Sequence, residues 1–396
     1  MKFRLGLSKL RDELLNELSN AKVAVLCNQA SVDENLTNVV DILAGSRAKL
    51  IKIFAPEHGF FGAAQDRIAI KNSTHPKYGI PIISMYGDTA DSLMPKKEKL
   101  VGLDIVIIDL QDVGARYYTF VWSAALMMKQ AAQVGVEIWV LDRPNPISGI
   151  VEGPVQEDSY LSFVGLYPLP IRHGMTIGEI LSYIAREYIP QAKLEVILLD
   201  GWKRDMWFDD TGLSWVPPSP NMPSLSTAIV YPGMCLLEGT NISEGRGTTR
   251  PFEVFGAPWI KSFELCEKLN ELKLPGVKFL PWRFTPMFSK YAGQTCDGAM
   301  MFVTDRKVFR PVLTAIAIIK TIHELYPEKF KFINPPYEFE TEKLPFDILC
   351  GTPEIRRMIE GGSKIDEIKD FIDGNAREYQ AKLQKYLLYL TRSKYL

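Results

Sequence analysis

Short apolar segments that end in acidic residues are the feature that most constrains the fold of this chain. Glu57 follows KLIKIFAP, Asp109 and Asp112 close LDIVIIDLQD, and Asp142 closes VEIWVLD. The segments are rich in Val, Ile and Leu and do not alternate with polar residues, which is typical of strands buried on both faces of a parallel sheet. Because ligands bind outside the carboxyl ends of such strands, we expect these acids to converge on one cleft.

The first part of the chain alternates between predicted strands and predicted helices. Strands are also predicted at residues 22–29 and 80–87, and helices at residues 35–45 and in TFVWSAALMMKQAAQVG. Five strands with intervening helices predict right-handed crossovers and an α/β fold built on a doubly wound parallel sheet. The first strand is not followed by the GxGxxG motif of a dinucleotide site.

A long irregular stretch separates two packed parts of the chain. Residues 209–259 are rich in Pro, Gly, Ser and Thr, with scattered aromatic residues. An irregular region of that length inside a compact protein is usually functional. Packed segments resume after it, and amphipathic helices are predicted over residues 352–396. We therefore predict a catalytic domain at residues 1–260 and a smaller α+β auxiliary domain at residues 261–396.

The composition excludes several classes of function. With 46 basic and 47 acidic side chains, the net charge of -1 removes the electrostatic basis for a nucleic-acid partner. Five scattered cysteines without a CxxC pair and four histidines without HExxH predict neither a metal site nor a cofactor. No run approaches the ~18 apolar residues of a membrane span, and the N-terminus lacks the apolar core of a signal peptide. We expect a cytoplasmic protein; an exported form whose signal has been removed is the alternative.

The PEHGF segment holds the first candidate catalytic group. Pro56 ends the strand and Gly59 permits a tight turn, so Glu57 and His58 are expected on a constrained loop at a strand end. A glutamate in a partly apolar cleft has a raised pKa and can act as a general acid. The alternative is a surface carboxylate that caps the next helix.

The segment DLQDVGARYYTF supplies further candidates. Asp109 and Gln111 share one side of the strand, and Asp112 begins the loop. Asp109 and Asp112 are candidate catalytic acids, although Asp112 could equally N-cap the following helix. Arg116 is a natural partner for either aspartate. Tyr118 and the neighbouring aromatic residues suit a sugar-stacking wall, and core packing is the alternative.

Basic residues near two turns are candidates for binding an anion. Asp142 and Arg143 lie in LDRPNP, where the prolines predict a rigid turn that suits a ligand site or plain loop structure. Arg172 and His173 stand just before a helix whose predicted N-cap is Thr176. A basic pair at a helix N-terminus suits a carboxylate or a phosphate. A structural role for the histidine is the alternative.

The glycine-rich segment EGTNISEGRGTTRPFE carries the remaining candidates. It supplies Glu238, Asn241, Glu244, Arg246 and Arg250, and we predict that the last four of these contact a ligand. Glycines let the backbone approach a ligand closely. The alternative is a flexible surface loop.

Several of these segments together resemble the YbbC/NamZ family, which includes bacterial exo-β-N-acetylmuramidases. The resemblance runs from about residue 20 to the C-terminus. It implies a Rossmann-like N-terminal domain, a smaller C-terminal domain and a cleft between them. It also implies removal of terminal N-acetylmuramic acid from the non-reducing end of peptidoglycan fragments, with Glu57 at the position of the catalytic glutamate. The segments that carry it include FAPEHGFFG, DLQDVGARYYTF, VLDRPNP, SFVGLYPLPIRHGMT, YPGMCLLEGTNISEGRGTTRPFEVFGAPW and FSKYAGQ.

The chemistry of such a substrate leaves alternatives open. Glycoside hydrolysis usually needs two carboxylates, ~5 Å apart for retention and ~6.5–9.5 Å apart for inversion, and a 2-acetamido group also permits a substrate-assisted route. The lactyl carboxylate of muramic acid would be recognised by an arginine, for which Arg172, Arg246 and Arg250 are the candidates. A carbohydrate-binding protein without catalysis is the competing interpretation. An α/β hydrolase is disfavoured because GxSxG is absent from the sequence.

Overall fold

The structure is a computed structural model that describes residues 3–65 and 68–389 of the chain. The last part of the predicted tail, residues 390–396, lies outside the described residues. The strands are β1 (Lys22–Cys27), β2 (Lys49–Ala55), β3 (Ser73–Thr74), β4 (Pro81–Ser84), β5 (Ile105–Asp109), β6 (Glu137–Leu141), β7 (Glu152–Val155), β8 (Pro170–Arg172), β9 (Leu194–Ile197), β10 (Val254–Ala257), β11 (Val277–Phe284) and β12 (Cys296–Val303). The α-helices are α1 (Gly6–Lys9), α2 (Val39–Ala44), α3 (Phe120–Val134), α4 (Ile177–Tyr188), α5 (Leu225–Met234), α6 (Ser262–Glu271), α7 (Pro311–Leu325), α8 (Pro345–Cys350), α9 (Glu354–Glu360) and α10 (Ile365–Leu383).

A seven-stranded sheet forms the centre of the N-terminal part. Its strand order is β3-β4-β2-β1-β5-β6-β9, and the neighbouring strands are parallel except for β3, which runs antiparallel to β4. With the short edge strand β3 set aside, this is the order of a Rossmann-like doubly wound sheet, and the order reverses between β1 and β5. The predicted α/β fold class is therefore confirmed.

The central strands are buried on both faces, as their sequences predict. In β5, Val106 and Ile108 enter one apolar cluster, whereas Ile105 and Ile107 enter another on the opposite face. Successive residues of a strand point to opposite faces, so a strand covered on both sides needs apolar residues at every position. This explains the continuous apolar run that precedes Asp109.

The C-terminal part adds a smaller α+β layer. The strands β10, β12 and β11 form an antiparallel sheet in that order, and α6 and α7 pack nearby. One apolar cluster runs from the parallel sheet through α3 and α4 into α7, α8 and α10. The two parts therefore share a core across residue 260, and the domain boundary there stays a prediction.

Within residues 3–65 and 68–389, the helices are all too short or too polar to cross a bilayer.

Candidate active site

A pocket lies beyond the carboxyl ends of the parallel strands, where doubly wound sheets bind their ligands. The loop after β2 and the turn before α3 form one side of the pocket, and α5 with the segments beyond it forms the other. The pocket is partly open, and the space between its lining atoms, open solvent included, is about 520 Å³. Its lining consists of Glu57, His58, Tyr117, Tyr118, Thr119, Val164, Ser219, Asn221, Met222, Tyr231, Cys235, Glu238, Arg246, Phe252, Tyr337 and Glu338.

Glu57 and His58 hold fixed orientations in this pocket. Glu57 is only 5% exposed, and its Oε2 accepts a hydrogen bond of 2.7 Å from the Thr119 hydroxyl. His58 adopts a left-handed backbone conformation with φ of 69°. Its Nδ1 lies 2.9 Å from the carbonyl oxygen of Ala64. Because a carbonyl only accepts hydrogen bonds, Nδ1 carries the proton and Nε2 is the acceptor of the neutral ring.

Glu238 is a second carboxylate in the pocket and comes from the other side. It lies in the short turn that follows α5, and it is 8% exposed. Its Oε1 lies 2.5 Å from Nη2 of Arg246, and its Oε2 accepts a hydrogen bond of 2.8 Å from the Tyr337 hydroxyl. Two buried glutamates, Glu57 and Glu238, thus line one pocket from opposite parts of the chain, and the partly exposed Glu338 lines it as well.

Arg246 brings a guanidinium group into the pocket. Gly245 precedes it with φ of 78°, and a Cβ at this glycine would lie 2.6 Å from the carbonyl oxygen of Val254. The close turn therefore requires glycine. Besides Glu238, the guanidinium lies 3.5 Å from Oε1 of Glu244 and 4.9 Å from the ring centre of Phe252. These contacts fix the cation at the pocket wall.

Tyrosine hydroxyls provide neutral polar groups in the pocket. Burial raises the pKa of Tyr231 and Tyr337 well above the usual value. Burial also raises the pKa of Tyr118, and the nearby carboxylates of Asp112 and Glu57 raise it further. These hydroxyls therefore stay protonated at neutral pH. The Tyr337 hydroxyl donates its hydrogen bond to Glu238, and those of Tyr118 and Tyr231 can donate hydrogen bonds to a ligand.

Two family models match this chain along most of its length. The model described as "Exo-beta-N-acetylmuramidase NamZ, N-terminal" matches residues 23–226, and the corresponding C-terminal model matches residues 229–389. The chain belongs to the NamZ family. The resemblance seen in the sequence is confirmed.

Similar proteins share the whole architecture of this NamZ-family chain. It is 44% identical over 390 residues to the peptidoglycan beta-N-acetylmuramidase NamZ of Bacillus subtilis strain 168. This match covers 98% of this chain and 92% of that protein. Two crystal structures of DUF1343 family proteins from Bacteroides fragilis have TM-scores of 0.89 and 0.76 at 30% and 28% identity. Each match covers 98% of this chain and 99% of the other.

Three of the predicted acids of this NamZ-family chain, Asp109, Asp112 and Asp142, lie outside the pocket lining. Asp109 is fully buried and forms a two-point ion pair with Arg143, at 2.5 Å to Nε and 3.0 Å to Nη2. Asp142 lies at the start of α4, where it accepts hydrogen bonds from the Thr176 hydroxyl and the backbone N–H of Gly178. Burial raises the pKa of Asp142 to about 6. These contacts favour structural roles.

Asp112 and His173 form a buried pair behind the pocket wall. Oδ2 of Asp112 accepts a hydrogen bond from the backbone N–H of Gly114, so this aspartate stabilises its own turn rather than the start of α3. Nε2 of His173 lies 3.2 Å from the same oxygen. Nδ1 of His173 accepts a hydrogen bond from the backbone N–H of Met175, which places the proton of the neutral ring on Nε2. The pair therefore fixes the loop that leads to Tyr118.

The predicted arginines Arg116 and Arg172 are buried away from the pocket lining and bind backbone carbonyls. Arg116 donates hydrogen bonds to the carbonyls of residues 154, 169 and 349, and thereby ties the β7–β8 ribbon to the C-terminal part. Arg172 donates to the carbonyl of Ile147. These carbonyls take the place of the predicted aspartate partner of Arg116.

The glycine-rich segment divides between the pocket and the surface. Arg246 lines the pocket, and Glu244 supports it while also pairing with Lys290 at 3.0 Å. Asn241 instead exchanges hydrogen bonds with the backbone of residues 329–331. Arg250 is largely exposed and pairs with Glu253 at 3.2 Å. Proximity in sequence therefore does not decide which of these residues can reach a ligand.

Several lining residues carry no role in the sequence-based prediction. Ser219 and Asn221 come from the PPSPNMP run, where a dense cluster of turn residues was the available signal. Tyr337 and Glu338 come from a loop about 100 residues beyond Glu238, and no local pattern points to them. Among the described residues, no group of three or more His, Cys, Asp or Glu side chains could hold a metal ion.

Proposed function

We propose that this chain is an exo-acting β-N-acetylmuramidase that releases terminal N-acetylmuramic acid from the non-reducing end of peptidoglycan fragments. Membership of the NamZ family and the 44% identical relative named as a peptidoglycan β-N-acetylmuramidase support this activity. The structural observation that carries the proposal is the pair of buried glutamates, Glu57 and Glu238, in one pocket. Two carboxyl groups that flank the scissile bond are the usual catalytic groups of glycoside hydrolysis.

Glu57 is proposed as the acid that protonates the glycosidic oxygen. The hydrogen bond from Thr119 to Oε2 holds the carboxyl group in one orientation, and burial keeps bulk water away from it. A positioned acid of this kind contributes by transferring its proton as the bond to the leaving group breaks. The rest of the sugar chain then leaves with a neutral hydroxyl group.

Glu238 is proposed as the second carboxylate, which supports the positive charge that develops on the sugar ring. The transition state of glycoside hydrolysis resembles an oxocarbenium ion. The ion pair with Arg246 and the hydrogen bond from Tyr337 suit a glutamate that acts in its negatively charged form. Asp109 and Asp112 are therefore replaced by Glu238 in our assignment, because both aspartates are committed to contacts outside the pocket lining.

A direct assay tests this function. The protein is incubated with para-nitrophenyl β-N-acetylmuramide and with the corresponding N-acetylglucosaminide, and nitrophenol release is followed by absorbance. We expect rapid release from the muramide and a much slower, measurable release from the glucosaminide. Binding of the muramide without release would instead favour the carbohydrate-binding protein, and release from the glucosaminide alone would exclude the proposed specificity.

Arg246 is proposed to recognise the lactyl carboxylate, since it is the predicted arginine that lines the pocket. A hydrogen bond to a charged group contributes about 1.5–3 kcal/mol, and each ~1.36 kcal/mol is tenfold in rate. We therefore expect Arg246→Met to lower the ratio of kcat/KM for the muramide over the glucosaminide by ~10- to 150-fold. We measure the ratio because any loss of activity caused by disturbing the neighbouring Glu238 lowers kcat/KM equally for both substrates.

Arg250→Met is the matched control for this substitution. Arg250 lies four residues away, pairs with one glutamate and is largely exposed outside the pocket lining. Its replacement should leave the selectivity ratio within about twofold of the wild-type value, as expected for an exposed ion pair. If Arg246→Met also kept the full ratio, recognition of the lactyl carboxylate by Arg246 would be wrong.

A further inference from the structure

A second, larger cavity adjoins the pocket. It contains about 1250 Å³ of open space, against about 520 Å³ for the pocket that holds the two glutamates. Glu338 lines both of them, so the two spaces lie on either side of this residue. Apolar side chains dominate the walls of the larger cavity, including Leu93, Met94, Leu126, Phe163, Leu166 and Phe339.

An aromatic cluster forms the boundary between the two spaces. The Tyr86 ring centre lies 6.1 Å from that of Phe163 and 6.1 Å from that of Phe339, and these two phenylalanines lie 6.3 Å apart. The Tyr86 hydroxyl also donates a hydrogen bond of 3.3 Å to Oε2 of Glu338. Val164, the neighbour of Phe163, faces the smaller pocket. The adjacent residues Phe163 and Val164 thus line the larger cavity and the smaller pocket, respectively.

We infer that the larger cavity binds the leaving group of the substrate, a 2-acetamido pyranose attached through the scissile bond to the terminal muramic acid. This inference rests on the proposed function. An enzyme that removes one terminal sugar needs a small closed pocket for that sugar and an adjoining open space for the rest of the chain. The two cavities are neighbours at Glu338, and the one that Glu57 and Glu238 line is the smaller.

The lining of the larger cavity matches the chemistry of an acetamido sugar. A pyranose presents C–H groups on its ring faces and a methyl group on its acetamido substituent, and both gain from contact with apolar and aromatic side chains. Phe339 offers an accessible aromatic ring, since it is 38% exposed, and Met94 lies half-buried in the same lining. Ser162 and Gln130 add hydroxyl and amide groups that can bind sugar hydroxyls.

Two substrates with different leaving groups test this site. One is the disaccharide in which N-acetylmuramic acid is β-linked to N-acetylglucosamine, and the other is methyl β-N-acetylmuramide, whose leaving group is too small to fill the cavity. Binding energy from the remote part of a substrate is expressed in its turnover. We expect Phe339→Ala to lower the ratio of kcat/KM for the disaccharide over the methyl glycoside by roughly tenfold, and Met94→Ala by roughly threefold.

Phe302→Ala is the matched control. Phe302 is also a partly exposed phenylalanine, at 43%, and it lines a separate surface groove beside Arg250 and Glu253. Its substitution should leave the ratio at the wild-type value. The inference is overturned if Phe339→Ala and Met94→Ala both keep the wild-type ratio, or if Phe302→Ala lowers it equally. Wild-type protein that hydrolyses neither substrate would refute the proposed function, and this inference with it.

Discussion

Glu57→Gln is expected to fold normally and to lose roughly a hundredfold or more in kcat on the disaccharide in which N-acetylmuramic acid is β-linked to N-acetylglucosamine, the usual cost of removing a general acid. Glutamine keeps the shape of the side chain, and its amide oxygen can still accept the hydrogen bond from Thr119. The amide cannot deliver a proton to the glycosidic oxygen. The disaccharide is the substrate because its sugar hydroxyl leaves only with a proton, whereas nitrophenol can leave without one. The release of N-acetylmuramic acid gives kcat, and thermal unfolding shows whether the fold is intact.

Asp109→Asn is the informative comparison for this variant. Asp109 is also a buried acid at the end of a parallel strand, but it forms an ion pair with Arg143. Breaking a buried ion pair from one side costs about 3–5 kcal/mol of stability. We therefore expect Asp109→Asn to lower the free energy of unfolding strongly, and kcat of the folded fraction far less than Glu57→Gln does. A Glu57→Gln enzyme with near-normal kcat would exclude the general-acid role.

The parallel sheet is predictable from the sequence because burial on both faces leaves a local signature. Each residue of β5 is buried, so the strand must be apolar throughout, and the same constraint acts on β1. The strand order is less visible, since pairing depends on contacts between distant segments. It follows from the right-handed crossovers of a doubly wound sheet only once the helices between the strands are recognised.

The position of an acid after a strand predicts its neighbourhood but does not predict its partner. Glu57, Asp109 and Asp142 follow strands in the same way, yet only Glu57 lines the pocket. Asp109 meets Arg143 from the neighbouring strand end, and Asp142 meets the start of α4. These partners are 34 to 36 residues away along the chain. Local sequence patterns therefore cannot distinguish a structural acid from a catalytic one.

On the other side of the pocket, the sequence predicts the contacts between residues even less well. Glu238 lies in a segment whose glycines suggest either a ligand loop or a surface loop, and both descriptions apply to parts of it. Tyr337 reaches Glu238 across 99 residues of chain. The packing of α7 and α8 against the turn after α5 brings these residues together. Such a contact belongs to the tertiary structure and has no signature in either segment alone.

Glu238→Gln is expected to reduce kcat by roughly a hundredfold or more, because the neutral amide cannot support positive charge on the sugar as a carboxylate does. Glutamine keeps an oxygen for Arg246 or for Tyr337, so the pocket should retain its shape. The measurements are kcat on the muramide and the binding of N-acetylmuramic acid by calorimetry. We expect binding to weaken far less than turnover, since the charge develops in the transition state.

Glu253→Gln provides a control with the same local chemistry. Glu253 is 6% exposed, accepts a hydrogen bond of 2.7 Å from the Thr227 hydroxyl and pairs with Arg250, so it matches Glu238 in burial and in partner types. It lines a surface groove rather than the pocket. A loss of turnover confined to Glu238→Gln would therefore reflect position beside the substrate rather than removal of a buried charge. Equal losses in the two variants would show that Glu238 acts through stability, and the second catalytic carboxylate would then have to be sought elsewhere in the pocket.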